Sequence, residues 1–313
     1  MAITIIDKHI PSTDGIHTLR GKVYLPEGEA RGILQISHGM AEHIGRYAEF
    51  MTYLAENGFI AAAHDHIGHG RTAENKEELG FFAEKDGWRT VCRDVIAFAR
   101  SLKEDYPEKP LILMGHSMGS FIARIVAAET KELYRGYIFM GTGGANPMSS
   151  AGLALTQTIT KLKGPRHVSD LVYAAAFGTY NNRAAEKDDI YAWLTTDRDM
   201  RKKHNEDPLC TFRFTVSAMH DLIKMQDIVN RAAWYAAIPK DLPILLIAGE
   251  EDPVGAYGKG VRTVCEKLTA AGVQKLSLQL YPKMRHEVLN EVDRATVYAD
   301  LLTFLKENIE IHF

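Results

Sequence analysis

Short apolar or β-branched runs recur along this chain at residues 32–37, 59–64, 111–114, 137–141, 244–248 and 275–281. Longer stretches of helical patterning separate them, roughly at 47–57, 88–105, 121–129, 259–271 and 295–307. This alternation predicts an α/β fold, a mostly parallel sheet covered by helices on both faces. Two earlier segments, 3–8 and 17–25, predict an antiparallel start, with Asp14-Gly15 turning between them.

The rhythm breaks between residues 146 and 238, where the pattern is mainly helical and lacks the buried-strand signature. Gly141-Thr142-Gly143-Gly144 and Asn146-Pro147 mark the entrance, and Pro239 and Pro243 bracket the exit. Because the strand series resumes at Ile244 as if uninterrupted, the expected organisation is one core domain, residues 1–145 and 239–313, with an inserted helical lid over 146–238.

Between the run at 111–114 and the helical stretch at 121–129 stands Gly115-His116-Ser117-Met118-Gly119. A serine placed where a strand turns sharply into a helix is the nucleophile elbow of an α/β-hydrolase fold. The turn crowds the positions two before and two after the serine, and glycine escapes the clash at both. The Met118 N–H opens the helix, where unpaired amides can hold an oxyanion. A bare pentapeptide of this kind arises by chance; the strand before it and the helix after it give it weight.

Serine is a poor nucleophile near neutral pH, so a histidine must take its proton and an acid must orient that histidine. In this fold the order is Ser, then Asp or Glu, then His. The run at 244–248 leads into Gly249-Glu250-Glu251-Asp252-Pro253, at a strand's carboxyl end, where catalytic loops gather. Asp252 is the expected acid because Pro253 restricts it to an extended conformation; Glu250 and Glu251 remain open as alternatives. Of the 13 histidines, His286 alone follows the last strand in a short loop ahead of the final long helix, and it is the expected base. Ser37-His38-Gly39-Met40 follows the first parallel strand, so the Met40 N–H is the expected second oxyanion donor beside that of Met118.

His64-Asp65-His66-Ile67-Gly68-His69-Gly70 puts three histidines and a carboxylate in one loop. A zinc site needs ligands from elsewhere or a spacing such as HExxH, which is absent, so no metal is expected. The loop is expected to shape the back of the site, and His116 to be structural.

Composition narrows the partners. Of 313 residues, 46% are hydrophobic and 25% charged, the balance of a globular protein. A formal net charge of −3 offers no basic field for nucleic acid, and a small neutral substrate fits better. Cys92, Cys210 and Cys265 are scattered and odd in number, which predicts a reducing compartment. The N-terminal stretch lacks a signal-peptide pattern and no apolar run reaches membrane-spanning length. A cytoplasmic, soluble protein with at most transient membrane contact is expected, and nothing calls for a cofactor.

As a set of spaced motifs, Ser37-His38-Gly39, Glu42-His43, Gly45-Arg46-Tyr47, the loop at 64–70 and Gly115-His116-Ser117-Met118-Gly119 resemble the monoacylglycerol lipase and lysophospholipase group of α/β-hydrolases. That group shades into the family labelled serine aminopeptidase S33. The resemblance implies a serine esterase that cleaves monoacylglycerol-like, lysophospholipid-like or other small acyl esters through an acyl-enzyme. Ser117 carries over as nucleophile, Asp252 as acid, His286 as base, and Met40 with Met118 as oxyanion donors. The lid departs more freely from the family pattern. Its Leu153, Leu155, Leu171, Val172, Tyr173, Phe177, Tyr191, Trp193, Phe212 and Phe214 suit either an acyl pocket or packing onto the core, and short or medium acyl chains are the expected preference. An aminopeptidase-type amide hydrolase on the same triad and a ligand-binding protein with a vestigial site stand as alternatives. Dehalogenase and epoxide hydrolase chemistry is disfavoured, because those enzymes place Asp where this elbow has Ser117.

Overall fold

The computed structural model describes residues 3–309 except Lys131; residues 1–2 and 310–313, assigned to the core from sequence, lie outside the described residues. Its strands are β1 (Thr4–Pro11), β2 (Thr18–Leu25), β3 (Ile33–Ser37), β4 (Ile60–His64), β5 (Leu111–His116), β6 (Gly136–Met140), β7 (Ile244–Gly249) and β8 (Leu276–Tyr281). They form one sheet in the order β1-β2-β4-β3-β5-β6-β7-β8. β1 pairs antiparallel with β2, and β2 antiparallel with β4; every later pairing is parallel. The expected turn between β1 and β2 is closed by Asp14, whose Oδ1 accepts the N–H groups of Ile16 and His17 at 2.7 and 2.9 Å.

Helices α1 (Ala48–Glu56), α2 (Gly87–Asp105), α3 (Met118–Glu129), α4 (Ser149–Lys163), α5 (Asp170–Phe177), α6 (Arg198–Glu206), α7 (Val216–Val229), α8 (Ala232–Ala237), α9 (Lys259–Ala270) and α10 (Arg294–Ile309) complete the fold. β3 to β7 are buried along their length because helices cover both faces, which is why they read as continuous apolar runs. The two-residue period of a strand divides their side chains. Leu111, Leu113, Tyr137 and Phe139 join Val95, Phe98, Ile122 and Val126 of α2 and α3. Ile112, Met114, Ile138 and Met140 join Phe50, Leu54, Leu301 and Leu305 of α1 and α10.

Several boundaries differ from expectation: β1 runs to Pro11 rather than to residue 8, and β5 to His116 rather than to residue 114. α3 begins at Met118 rather than at residue 121, with Ser117 as its N-cap, because Gly119 and Ser120 carry no apolar periodicity and conceal the first turn. Between β6 and β7 the chain forms α4 to α8 with no strand among the described residues. Of these, α7 packs against α4 on one side and against α2 and α3 on the other. No described helix is long and apolar enough to cross a membrane.

Candidate active site

The loops after β3, β5, β7 and β8 converge at the carboxyl ends of the parallel strands, the usual site-bearing edge of such sheets. At the β5–α3 turn Ser117 adopts φ 54°, ψ −118°, a strained backbone that costs on the order of 1–3 kcal/mol and persists only where surroundings impose it. Its N–H donates to Met140 O at 2.9 Å, and its carbonyl accepts from Ser120 Oγ at 2.6 Å. A Cβ on Gly115 would lie 2.1 Å from Gly119 O, so the turn itself demands that glycine. The second glycine answers to a neighbour: a Cβ on Gly119 would lie 2.0 Å from Ser37 O on β3.

His286 and Asp252 are both buried, and His286 Nδ1 lies 3.0 Å from Asp252 Oδ1. The same oxygen accepts the Val254 N–H at 2.9 Å, which sets the direction of the carboxylate. With Nδ1 donating to the acid, the neutral ring presents Nε2 as a proton acceptor. Of the three consecutive carboxylates only Asp252 reaches the histidine. Glu250 lies 3.7 Å from Arg262, and Glu251 is exposed. The His286 ring is flanked by His116 at 4.8 Å and Trp193 at 5.1 Å between centroids. Ser117 and His286 line one cavity, and no hydrogen bond joins the Ser117 hydroxyl to His286 among the described residues.

The N–H groups of Met40 and Met118 have no hydrogen-bond partner among the described residues. The Met40 amide is nonetheless oriented. His38 Nδ1 donates to Gly39 O at 2.9 Å, and because that carbonyl and the Met40 N–H point opposite ways across one trans peptide, fixing the first aims the second. A Cβ on Gly39 would come within 3.1 Å of Ser117 Cβ, so the loop runs directly against the elbow.

The loop at 64–70 buttresses this wall. Asp65 uses both oxygens on backbone, accepting from Ile44 and Arg71 at 2.8 Å each. His66 donates its N–H to His38 Nε2 at 3.0 Å, and its ring lies 4.2 Å from that of His38 and 5.1 Å from that of His64. Burial pushes His64 and His69 down to about 3, so both stay neutral. A different trio, His43, Asp207 and Cys210, brings ligand atoms close enough together for a cation. Yet His43 Nδ1 accepts the Gly45 N–H at 3.1 Å, leaving the proton on Nε2, which donates to Asp207 at 2.9 Å. That tautomer makes the pair a tie between the loop after β3 and the segment after α6.

Two features were invisible in the sequence. The first is a buried polar network: Glu42 Oε1 accepts from the Gly39 N–H, from Tyr47 OH at 2.8 Å and from His116 Nδ1 at 3.1 Å. Glu42 Oε2 lies 3.1 Å from Arg46, which also grips both oxygens of Glu287 at 2.6 and 2.7 Å. Burial raises both carboxyls. The His116 hydrogen bond and charge, aided by Arg46, outweigh it and hold Glu42 well below the usual range, while Arg46 holds Glu287 at about 2. The second is the anchoring of the His286 loop by the segment between β6 and β7. Glu287 N–H donates to Leu194 O at 2.7 Å, His286 N–H to Trp193 O at 3.4 Å, and the Arg285 guanidinium to Ala192 O at 2.6 Å.

A cavity of about 560 Å³ opens over Ser117. Tyr173, Phe177, Tyr191, Trp193 and Phe212 line it, whereas Val172 and Phe214 are buried in the core and Leu171 is exposed. Half of the ten apolar residues singled out from sequence therefore face the cavity.

Comparison with known proteins agrees with this architecture. The sequence profile described as serine aminopeptidase, S33, matches residues 28–293. A monoglyceride lipase of Homo sapiens is 28% identical over 291 residues, covering 92% of this chain and 86% of its own. A monoacylglycerol lipase of Mycolicibacterium smegmatis is 25% identical, covering 92% of each. In three dimensions the chain is similar to a thermostable carboxyl esterase from Bacillus coagulans, with a TM-score of 0.91, 30% identity, and coverage of 98% of this chain and 99% of the other. The chain belongs to the serine aminopeptidase S33 family of α/β-hydrolases and is a distant homologue of the monoglyceride lipases.

Proposed function

We propose that this protein is a serine carboxylic ester hydrolase that works through an acyl-enzyme on small acyl esters of the monoacylglycerol or lysophospholipid type. The observation that carries the reading is the His286–Asp252 hydrogen bond beside a serine on a strained elbow. His286 Nε2 takes the Ser117 proton as Oγ attacks the ester carbonyl, and Asp252 stabilises the imidazolium. The free N–H groups of Met40 and Met118 receive the developing oxyanion, each contributing on the order of 2–4 kcal/mol at the transition state. His286 then protonates the leaving alcohol, and water repeats the sequence to release the acid. Residues 146–238 act as the lid, with their aromatic side chains receiving the acyl chain.

Ester cleavage is favoured over aminopeptidase chemistry by the state of the carboxylates at the cavity. Glu42 and Glu287 line it, and both are engaged by Arg46, which leaves neither as a free anion for a substrate amine. A volume of about 560 Å³ suits a short or medium acyl chain better than a triglyceride. Ser117→Ala should abolish ester turnover and fluorophosphonate labelling with the fold retained; turnover that persists in this variant overturns the assignment. A rate panel that peaks only on long-chain triglycerides contradicts the chain-length preference.

A further inference from the structure

Glu42 touches none of the atoms that would react, yet it is almost wholly buried, with 3% of its surface exposed. A carboxylate in such a place needs a compensating purpose, because desolvating a charge is costly unless it is paired and hydrogen-bonded. Its partners come from three places that the chemistry needs to hold in register. The Gly39 N–H belongs to the peptide just before the one that aims the Met40 amide. His116 immediately precedes Ser117, and its Nε2 lies 3.4 Å from the carbonyl of His286. Arg46 joins Glu42 to Glu287, the residue that follows His286.

His116 Nδ1 lies 3.1 Å from Glu42 Oε1 and 3.2 Å from Tyr47 OH, and Nε2 lies 3.4 Å from the carbonyl of His286, so the ring is held between the three groups. Arg46 faces both Glu42 and Glu287, and His116 faces Glu42. Burial works to lower the His116 pKa, and the Glu42 hydrogen bond and charge overcome it and raise it.

We propose that Glu42 is a positioning residue: it locks the Met40 oxyanion loop against the serine elbow and, through His116 and Arg46, against the His286 loop. The proposal rests on the reading of Ser117 as nucleophile and of Met40 as oxyanion donor. Its distinguishing consequence is selective, since a residue that fixes an amide for the transition state affects kcat more than substrate binding.

The test compares wild type, Glu42→Ala and Glu42→Gln on a soluble short-chain ester, with rates normalised to active sites counted by fluorophosphonate labelling. In Glu42→Ala, kcat should fall about tenfold to a hundredfold, below the loss for deleting an oxyanion donor outright. KM should stay within about twofold, and affinity for a boronic acid that mimics the tetrahedral intermediate should fall in step with kcat. Glu42→Gln keeps an oxygen for the Gly39 N–H but presents an amide to Arg46, and should lose less; it serves alone if the alanine variant does not fold. A normalised kcat and boronate affinity equal to wild type, even with a lowered melting temperature, overturn the proposal by reducing Glu42 to a packing role. Ser117→Ala run alongside separates the two failures. If it retains turnover, the nucleophile assignment falls; if it is inactive while Glu42→Gln and Glu42→Ala match wild type, only the role of Glu42 falls.

Discussion

On the core side of the cavity, Gly39 and His286 on their loops and His116 at the end of β5 are pinned by buried hydrogen bonds to Glu42, His38 and Asp252. On the opposite side, Tyr173, Phe177 and Tyr180 follow one another through ring contacts 5.3 and 5.4 Å apart. The first wall is fixed by directional bonds whose partners cannot be exchanged without leaving a buried polar group unpaired. The second is fixed mainly by shape, with the Phe214 N–H donating to Tyr173 OH, and shape tolerates replacement by side chains of similar volume. A site built in this way can keep one reaction while its substrate range drifts.

The sharpest test of the contrast is Asp252→Asn. It preserves volume but removes the negative charge that stabilises a His286 imidazolium, and kcat should fall by roughly a thousandfold to ten-thousandfold while the melting temperature barely moves. A loss under tenfold in steady-state kinetics would mean that the polar wall is not the determinant we take it to be. Gly119→Ala tests the same wall through packing. Its Cβ would meet Ser37 O at 2.0 Å, so β3 or α3 must shift, and chemical denaturation should register a loss of about 3 kcal/mol.

On the aromatic wall, Phe212→Ala should leave turnover of the shortest esters within about threefold and move the chain-length optimum toward longer acyl groups by up to about tenfold in kcat/KM ratio. An equal loss on every ester would erase the distinction between the walls. The smallest effect concerns pH. His64 and His69 are depressed to about 3 from 6.5, so between those values the unfolded chain binds protons that the folded chain refuses. Stability therefore rises with pH through that window and is lost on acidification. His64 has two buried ring nitrogens without partners, and His64→Phe should flatten the acid limb of the melting-temperature profile while leaving the value above pH 7 equal or slightly higher.

Sequence made Ser117, Asp252 and His286 of the first wall legible and the second wall only in outline, for physical reasons. β3 to β7 are covered on both faces, so they appear as unbroken apolar runs, and their fixed order places Ser117, Asp252 and His286 at strand ends. α4 to α8 escaped placement because their surroundings vary: α6 is strongly polar, while α5 is apolar with Leu171 exposed. The Glu42 network was beyond reach for another reason. Arg46 and Glu287 are 241 residues apart, and neither carries a local pattern that names the other. Glu42, Arg46 and Tyr47 stood out only as parts of a family motif, without a task attached.

The attachment of Arg285, His286 and Glu287 to Ala192, Trp193 and Leu194 bears on how such enzymes can be recombined. A chimera that imports a relative's entire segment between β6 and β7 also replaces the backbone carbonyls that hold the His286 loop. The stretch from Glu186 to Arg201 therefore belongs with the C-terminal loop as a transplantable unit, since Arg285 and Arg201 both grip Thr195 O and Glu186 within it. Exchange points placed after α5 and before α7 would carry new aromatic walls in on either side and leave that unit untouched only if residues 186–201 stay native.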